Sequence, residues 1–472
     1  MSALRKRFAA GLCCVLGARA SIAAAQSARP GRPEPLPERP FKFPHIGTHT
    51  LPNGLRLLVV EDHSLPLVAV RAVLPVDSTA DPSGREGLYA VTLGAMREGT
   101  ATRTADQLAD AFAELGRTVA PTGFTALASS FRLGLELMSD MLQHPAFDST
   151  GIERRKALQA SAAVRLAQAA VTAPRQIFYA ELSGPSDGYV RSLRPTAASV
   201  GAITPADVAA FYARHFGPAG TTIVVAGDVS DADALAAVTR LFGGWHRAPP
   251  IEAERPTSPA VHETTIYLHD ARSPQTYLYI GGRGPTRSEH DAVATDVLSA
   301  VAASRMQQTL RDKRSFMYSG TMGVIWQRPP RTAVLVGSTV VNATKVDSAL
   351  AEWMSLIRGL SVGAPTTPAE LDAARRLRVG SLPARMDGPD SLAARLVDLA
   401  RDGLPIDYFD RYVSSVARVS AGDLTAAASK YLDVNHLIIV VSGDRTLLEP
   451  ALRAANLGPV VVVDSAGRPL AP

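Results

Sequence analysis

The 472-residue chain reads as an α+β protein made of two homologous halves, and three observations carry that reading. The first is repetition: Thr204 to Asp228 aligns without a gap to Ser420 to Asp444 at a constant offset of 216. The second is order. Strand-like segments arrive in adjacent pairs with helical segments grouped between them, which favours helices on one face of a largely antiparallel sheet. The third is a break at residues 248–261, where four prolines and two glutamates interrupt any helical or strand period. Two domains are therefore expected, 45–247 and 262–472, with 248–261 as an exposed linker.

The N-terminus has a basic start (Arg5, Lys6, Arg7), an apolar run from Phe8 to Ala18, and Ala23-Ala24-Ala25 before Gln26. This is the layout of a secretory signal with a small-residue cleavage site, and the run is too short to span a bilayer. Residues 1–25 are thus expected to be removed, which leaves no membrane span, and the proline-rich stretch 26–44 is expected to form an extended arm. Both cysteines, Cys13 and Cys14, fall inside the signal, so the remaining chain has neither a disulfide nor a thiolate site. Secretion without cysteine suits a bacterial periplasm. Four of the 49 basic residues leave with the signal, and against 44 acidic residues the mature charge falls from +5 to about +1. With no basic cluster interleaved with aromatics, nucleic-acid binding is set aside.

Leu55 to Val60 and Leu67 to Leu74 read as neighbouring strands, followed by a helix from Gly87. Each repeat copy opens on a hydroxyl N-cap, Thr204 or Ser420, with an Asp at the third helical position, where it suits the helix dipole. Each copy closes on a β-branched run, Ile223-Val224-Val225 or Ile439-Val440-Val441, that predicts a buried strand. The second half parallels the first with strands over Thr264 to Leu268 and Gln275 to Ile280 and a helix from about Asp291 to Lys313.

Three motifs are weighed and discounted. Gly359 to Gly363 fits G-x-S-x-G, but an amphipathic helix precedes it, and a nucleophile elbow needs a strand before it and a helix directly after. His45 and His49 stand at i, i+4, yet Pro44 and Gly47 break a helix and no Glu accompanies them, so they read as ordinary loop histidines. Gly281 to Gly284 opens no helix and so makes no phosphate cradle.

Gly87 to Thr100 reads G-L-Y-A-V-T-L-G-A-M-R-E-G-T, and Leu310 to Ser319 reads L-R-D-K-R-S-F-M-Y-S. Together with L-P-N-G-L-R at Leu51 to Arg56, these segments resemble the insulinase/pitrilysin peptidases, whose zinc helix carries H-x-x-E-H in a frame of flanking glycines. Ala90, Leu93 and Gly94 stand at the His, Glu and His positions, and Ser161 or Ala162 at the downstream carboxylate. Methyl, isobutyl and hydrogen groups can neither bind zinc nor accept a proton. The segment Leu298 to Arg305 also lacks the glycines that family usually places before Ser-Arg.

The resemblance implies a clamshell of two such domains and a chain without cofactor or catalysis of its own. It also implies that Arg311 and Tyr318 are contributed to the zinc site of a homologous partner, the Arg holding the peptide backbone and the Tyr stabilising the tetrahedral intermediate. Zinc is expected in that partner, and the substrate is an extended peptide or unfolded protein. The competing expectation is a non-enzymatic chaperone or scaffold that binds extended peptides by strand addition.

Overall fold

Two β-sheets organise the computed structural model, which describes residues 42–115, 119–168, 171–246, 260–271, 273, 275–327 and 331–470. The expected signal, nearly all of the arm, and residues 248–259 of the linker lie outside the described residues. The first half runs β1 (Gly47–Thr50), β2 (Arg56–Glu61), β3 (Leu67–Val73), α1 (Leu88–Ala95), α2 (Ala105–Glu114), β4 (Gly123–Leu127), α3 (Phe131–Gln143) and α4 (Ser149–Gln168). It continues through α5 (Thr172–Ser183), α6 (Gly188–Ser192), α7 (Ala197–Gly201), α8 (Pro205–His215), β5 (Thr222–Gly227) and α9 (Asp231–Phe242). The second half runs β6 (Thr265–Asp270), β7 (Gln275–Arg283), α10 (Ala292–Met306), β8 (Met317–Ile325), β9 (Val334–Asn342), α11 (Val346–Ser361) and α12 (Pro368–Gly380). It ends with α13 (Gly388–Asp402), α14 (Tyr408–Arg418), α15 (Ala421–Tyr431), β10 (Ile438–Gly443), α16 (Arg445–Ala454) and β11 (Val460–Val463).

The repeat is structural. Helix α8 and strand β5 coincide with α15 and β10 at the offset of 216, and both helices open on a reciprocal cap, Thr204 with Asp207 and Ser420 with Asp423. Strands β5 and β10 are buried at every position, because each is central and covered on both faces. In the first sheet, ordered β1-β2-β5-β3-β4, β5 runs parallel to β2 and antiparallel to β3. In the second, ordered β11-β6-β10-β7-β9-β8, β10 runs parallel to β6 and antiparallel to β7. The α+β class stands.

How the faces are covered goes beyond the expected plan of helices on one side. Strand periodicity of two splits the first sheet, so Leu57, Val59, Val68, Val70, Ile223 and Val225 join the core under the first half's own helices. The alternate residues Leu58, Val60, Ala69, Val224 and Ala226 are equally buried. They are covered by α13, which comes from the second half and packs on β3 and β5. Reciprocally, α5 of the first half lies on the second sheet, packing Ile177, Phe178 and Ala180 against Val334, Val336, Ile438 and Val440. The offset of 216 carries α5 onto residues 388–399, within α13, so the exchange is symmetric. Polar ties mark the crossings: Arg331 bonds Asp187 at 2.7 Å, Arg283 donates to the Leu182 carbonyl at 2.7 Å, and Arg71 pairs with Asp390.

Candidate functional site

Helix α1 begins at Gly87, whose φ of 106° suits glycine, and its first amides are held by Asp81, which accepts from Gly87 N and Tyr89 N at 2.8 and 2.7 Å. Burial pushes the Asp81 carboxyl up to about 6, against the pull of those two amides. Leu88, Val91 and Ala95 face the core, while Ala90 is exposed and Leu93 and Gly94 are half-buried.

Across from α1 lies α4, and the two approach closely. A Cβ at Gly94 would stand 3.0 Å from Arg155 Cδ, and one at Gly151 would stand 2.5 Å from Glu98 Cβ. Glu98, only 4% exposed, pairs with both Arg154 and Arg155. Arg97 beside it is held below the ordinary arginine range by burial and by the neighbouring Arg155 guanidinium. Arg155 and Gln159 reach toward α1, and at helical spacing that ridge continues to Ala162. Ser161 is exposed and turns its hydroxyl onto the Ala157 carbonyl. These residues do not fit zinc, since the aliphatic stem of Arg155 occupies the ground next to Gly94 and no lone-pair donor stands at Ala90, Leu93 or Ala162. Among the described residues no group of three His, Cys, Asp or Glu side chains could hold a metal. Sequence reasoning missed the Glu98 clamp. Its signal was present in the acidic residue three positions after Ala95 and in the Glu153-Arg154-Arg155-Lys156 run on α4.

Arg311 and Tyr318 are brought together. Helix α10 widens into a π-helical turn over Gln307–Lys313, an irregularity often found at functional sites. Ser315 then takes a left-handed φ of 54°, costly for a non-glycine residue, and turns the chain into β8. The Arg311 guanidinium sits 5.7 Å from the centre of the Tyr318 ring, and Tyr318 is 85% exposed. A ring that merely filled the core would be buried, so packing does not account for this one. Both residues line a cleft of about 700 Å³ with Gln275, Phe316, Val340 and Asn342. Ala90, Leu93 and Gly94 are not among the residues that line it.

Ser361 ends α11, and Gly281 and Gly282 lie within β7. His45 is in irregular chain, but His49 belongs to β1 and bonds Asp231 at 2.8 Å, so only the first is a loop histidine. Its partner Asp231 opens α9 and was invisible to local spacing.

Residues 202–378 match the family described as the peptidase M16 inactive domain. An uncharacterised zinc protease of Mycobacterium leprae is 29% identical over 296 residues, 57% of this chain, and the chain spans 64% of that relative's length. Among solved structures, a peptidase M16 inactive domain from Pseudomonas fluorescens superposes with a TM-score of 0.75 at 21% identity, over 84% of this chain and 98% of that one. A protease of Helicobacter pylori gives 0.73 at 16% identity, over 85% of this chain and all of that one. The first half of the periplasmic protease PqqL of Escherichia coli gives 0.72 at 15%, over 90% of this chain and 97% of that one.

Proposed function

From the premise that this chain is a degenerate M16 homologue carrying the family's inactive domain over residues 202–378, we propose that it is the secreted, non-catalytic component of an M16-type zinc peptidase. Arg311 and Tyr318 bind the peptide and stabilise the transition state at a zinc site carried by a homologous partner. The observation that carries this reading is the exposed Tyr318 with the Arg311 cation over its ring, a pair that no packing requirement explains. Opposite a polarised carbonyl, the guanidinium would fix the peptide backbone and the phenol would donate to the developing oxyanion. The Helicobacter and Escherichia proteases it resembles in fold are named as proteases, and the chain matches half the length of full PqqL, which favours an arrangement in which a second such unit completes the chamber. Secretion rests on the N-terminal signal pattern. The test is reconstitution with a zinc-bearing homologue. Peptide hydrolysis should require both chains, and full activity of the partner alone would refute the assignment.

A second reading is favoured by one feature: β8 is the outermost strand of its sheet. An extended peptide could pair with it whether or not it is cleaved, as in a chaperone or assembly scaffold.

A further inference from the structure

The far end of β8 opens onto a cavity of about 410 Å³ between that strand and helices α10, α12, α13 and α14. Five arginines line it: Arg287, Arg378, Arg385, Arg395 and Arg401. Three aspartates answer them. Asp296 pairs with Arg378 at 3.1 Å, Asp398 with Arg395 at 2.8 Å and Arg401 at 3.1 Å, and Asp402 with Arg287 at 2.9 Å and Arg401 at 2.6 Å. Two positive charges are left in excess. Arg385 is exposed at the rim and makes no ion pair among the described residues, and the Arg395 Nε is a buried donor without a partner. Burial holds Arg395 below the ordinary arginine range, and the guanidiniums of Arg385, Arg287 and Arg401 add to that pull, although Asp398 opposes it. The exposed Arg385 guanidinium and the buried Arg395 Nε are therefore donors that the network of aspartates leaves unused.

The walls are aromatic. The Arg287 guanidinium lies 5.2 Å from the Tyr408 ring centre and 5.6 Å from that of Trp326, and Phe409 and Tyr412 complete the lining. Planar guanidiniums with spare donors recognise carboxylates, and aromatic walls suit an apolar side chain beside the charge. The cavity adjoins the open strand edge, since Met322, Gly323 and Val324 of β8 line it directly. From Tyr318 to Trp326 a strand covers roughly 26 Å at ~3.3 Å per residue, the length of about eight residues.

Resting on the peptide-binding reading above, we propose that this cavity receives the carboxylate of a peptide lying along β8, its C-terminal carboxylate when the added strand runs parallel. One end of the peptide would then meet the Arg311–Tyr318 cleft and the other the arginine cavity.

Trp326 is the natural reporter, because the chain's other tryptophans, Trp245 and Trp353, are buried elsewhere. The probe is an N-acetylated octapeptide ending in Phe, prepared as the free acid, as the C-terminal amide, and as an amide with one internal Glu. The free acid should quench Trp326 and bind about 10-fold more tightly than the amide, and Arg385→Gln should abolish that advantage. Trp326→Phe should remove the signal but not the binding measured by calorimetry. Recovery of affinity by the Glu-bearing amide would support the cavity with a side-chain carboxylate as its occupant. Equal affinity for acid and amide, or indifference to Arg385→Gln, would overturn the inference while leaving peptide binding at the Tyr318 cleft intact. If no peptide binds, N-acetylphenylalanine decides: quenching of Trp326 that Arg385→Gln removes supports the cavity, and no quenching refutes it.

Discussion

The helix pair α1/α4 in the first half and the pair α10/α12 in the second occupy matching places, and each is clamped by an ion pair of opposite polarity. In the first, the acid stands beyond the end of the first helix, Glu98, and the bases on the second, Arg154 and Arg155. In the second, the base is on the first helix, Arg305, and the acid on the second, Glu370, at 2.7 Å. The offset of 216 superimposes Arg154 on Glu370. Both halves therefore keep the helix pair as a structural device. They differ in what lies beside it. Around α1 the Arg155 side chain packs against Gly94 and is held there by Glu98, whereas beyond α10 a π-helical turn and a left-handed serine project Arg311 and Tyr318 out of the core. The first region commits its side chains to one another, and the second leaves Arg311 and Tyr318 exposed to solvent.

The strongest way to break this comparison is Glu98→Ala. It removes the buried acid that Arg154 and Arg155 share and that lies beside the already depressed Arg97, and should cost ~2–3 kcal/mol in urea unfolding, whereas Glu370→Ala leaves Arg305 its bonds to the Ala364 and Pro365 carbonyls and should cost ~1–2 kcal/mol. Equal losses would mean that the two clamps do the same work.

Tyr318→Phe should do the reverse of Glu98→Ala. It should leave the unfolding midpoint unchanged and lower turnover of a reconstituted peptidase roughly 10²- to 10³-fold. Arg311→Ala should act more on KM than on kcat. A Tyr318→Phe protein that melts early would return that ring to a packing role.

The pH dependence sharpens the contrast. Asp81, raised to about 6 by burial, stabilises in its protonated form, so its contribution is complete below the unfolded value of 3.8 and is lost as pH rises through about 6. Glu370, lowered to about 2 by its hydrogen bond from Arg305, contributes fully above 4.5 and loses that stability as pH falls toward 2. Asp81→Asn and Glu370→Gln should thus remove slopes of opposite sign, each of order 1–2 kcal/mol, in stability measured across pH 2–7.

The smallest effect tests the repeat itself. Thr204→Ala and Ser420→Ala each delete one reciprocal cap and should destabilise by about 1 kcal/mol, by similar amounts, in equilibrium unfolding.

The repeat was legible because its parts are local: a hydroxyl cap, an acid three residues on, and a β-branched run are all read within 25 residues. Tyr318 and Arg311 were legible only through resemblance, since nothing in L-R-D-K-R-S-F-M-Y-S states that the helix widens at Gln307 or that Ser315 turns left-handed. The arginine cavity was not legible, because its lining is gathered from Arg287 to Tyr412 by tertiary packing. Nor was the helix exchange. Periodicity says that α5 and α13 have an apolar face but not whose sheet it meets.

That exchange bears on how such a chain could arise. A half-length ancestor would carry the same helix on the same tether, and its sheet would show a bare face like that of Leu58, Val60, Ala69, Val224 and Ala226. Two copies could cover one another by reciprocal domain swapping, a closed twofold dimer in which neither protomer is finished alone. Fusion end to end would turn that intermolecular trade into an intramolecular one and free each copy to drift. One half could then surrender its chemistry without surrendering the fold, because its partner's sheet still needed the helix it supplies.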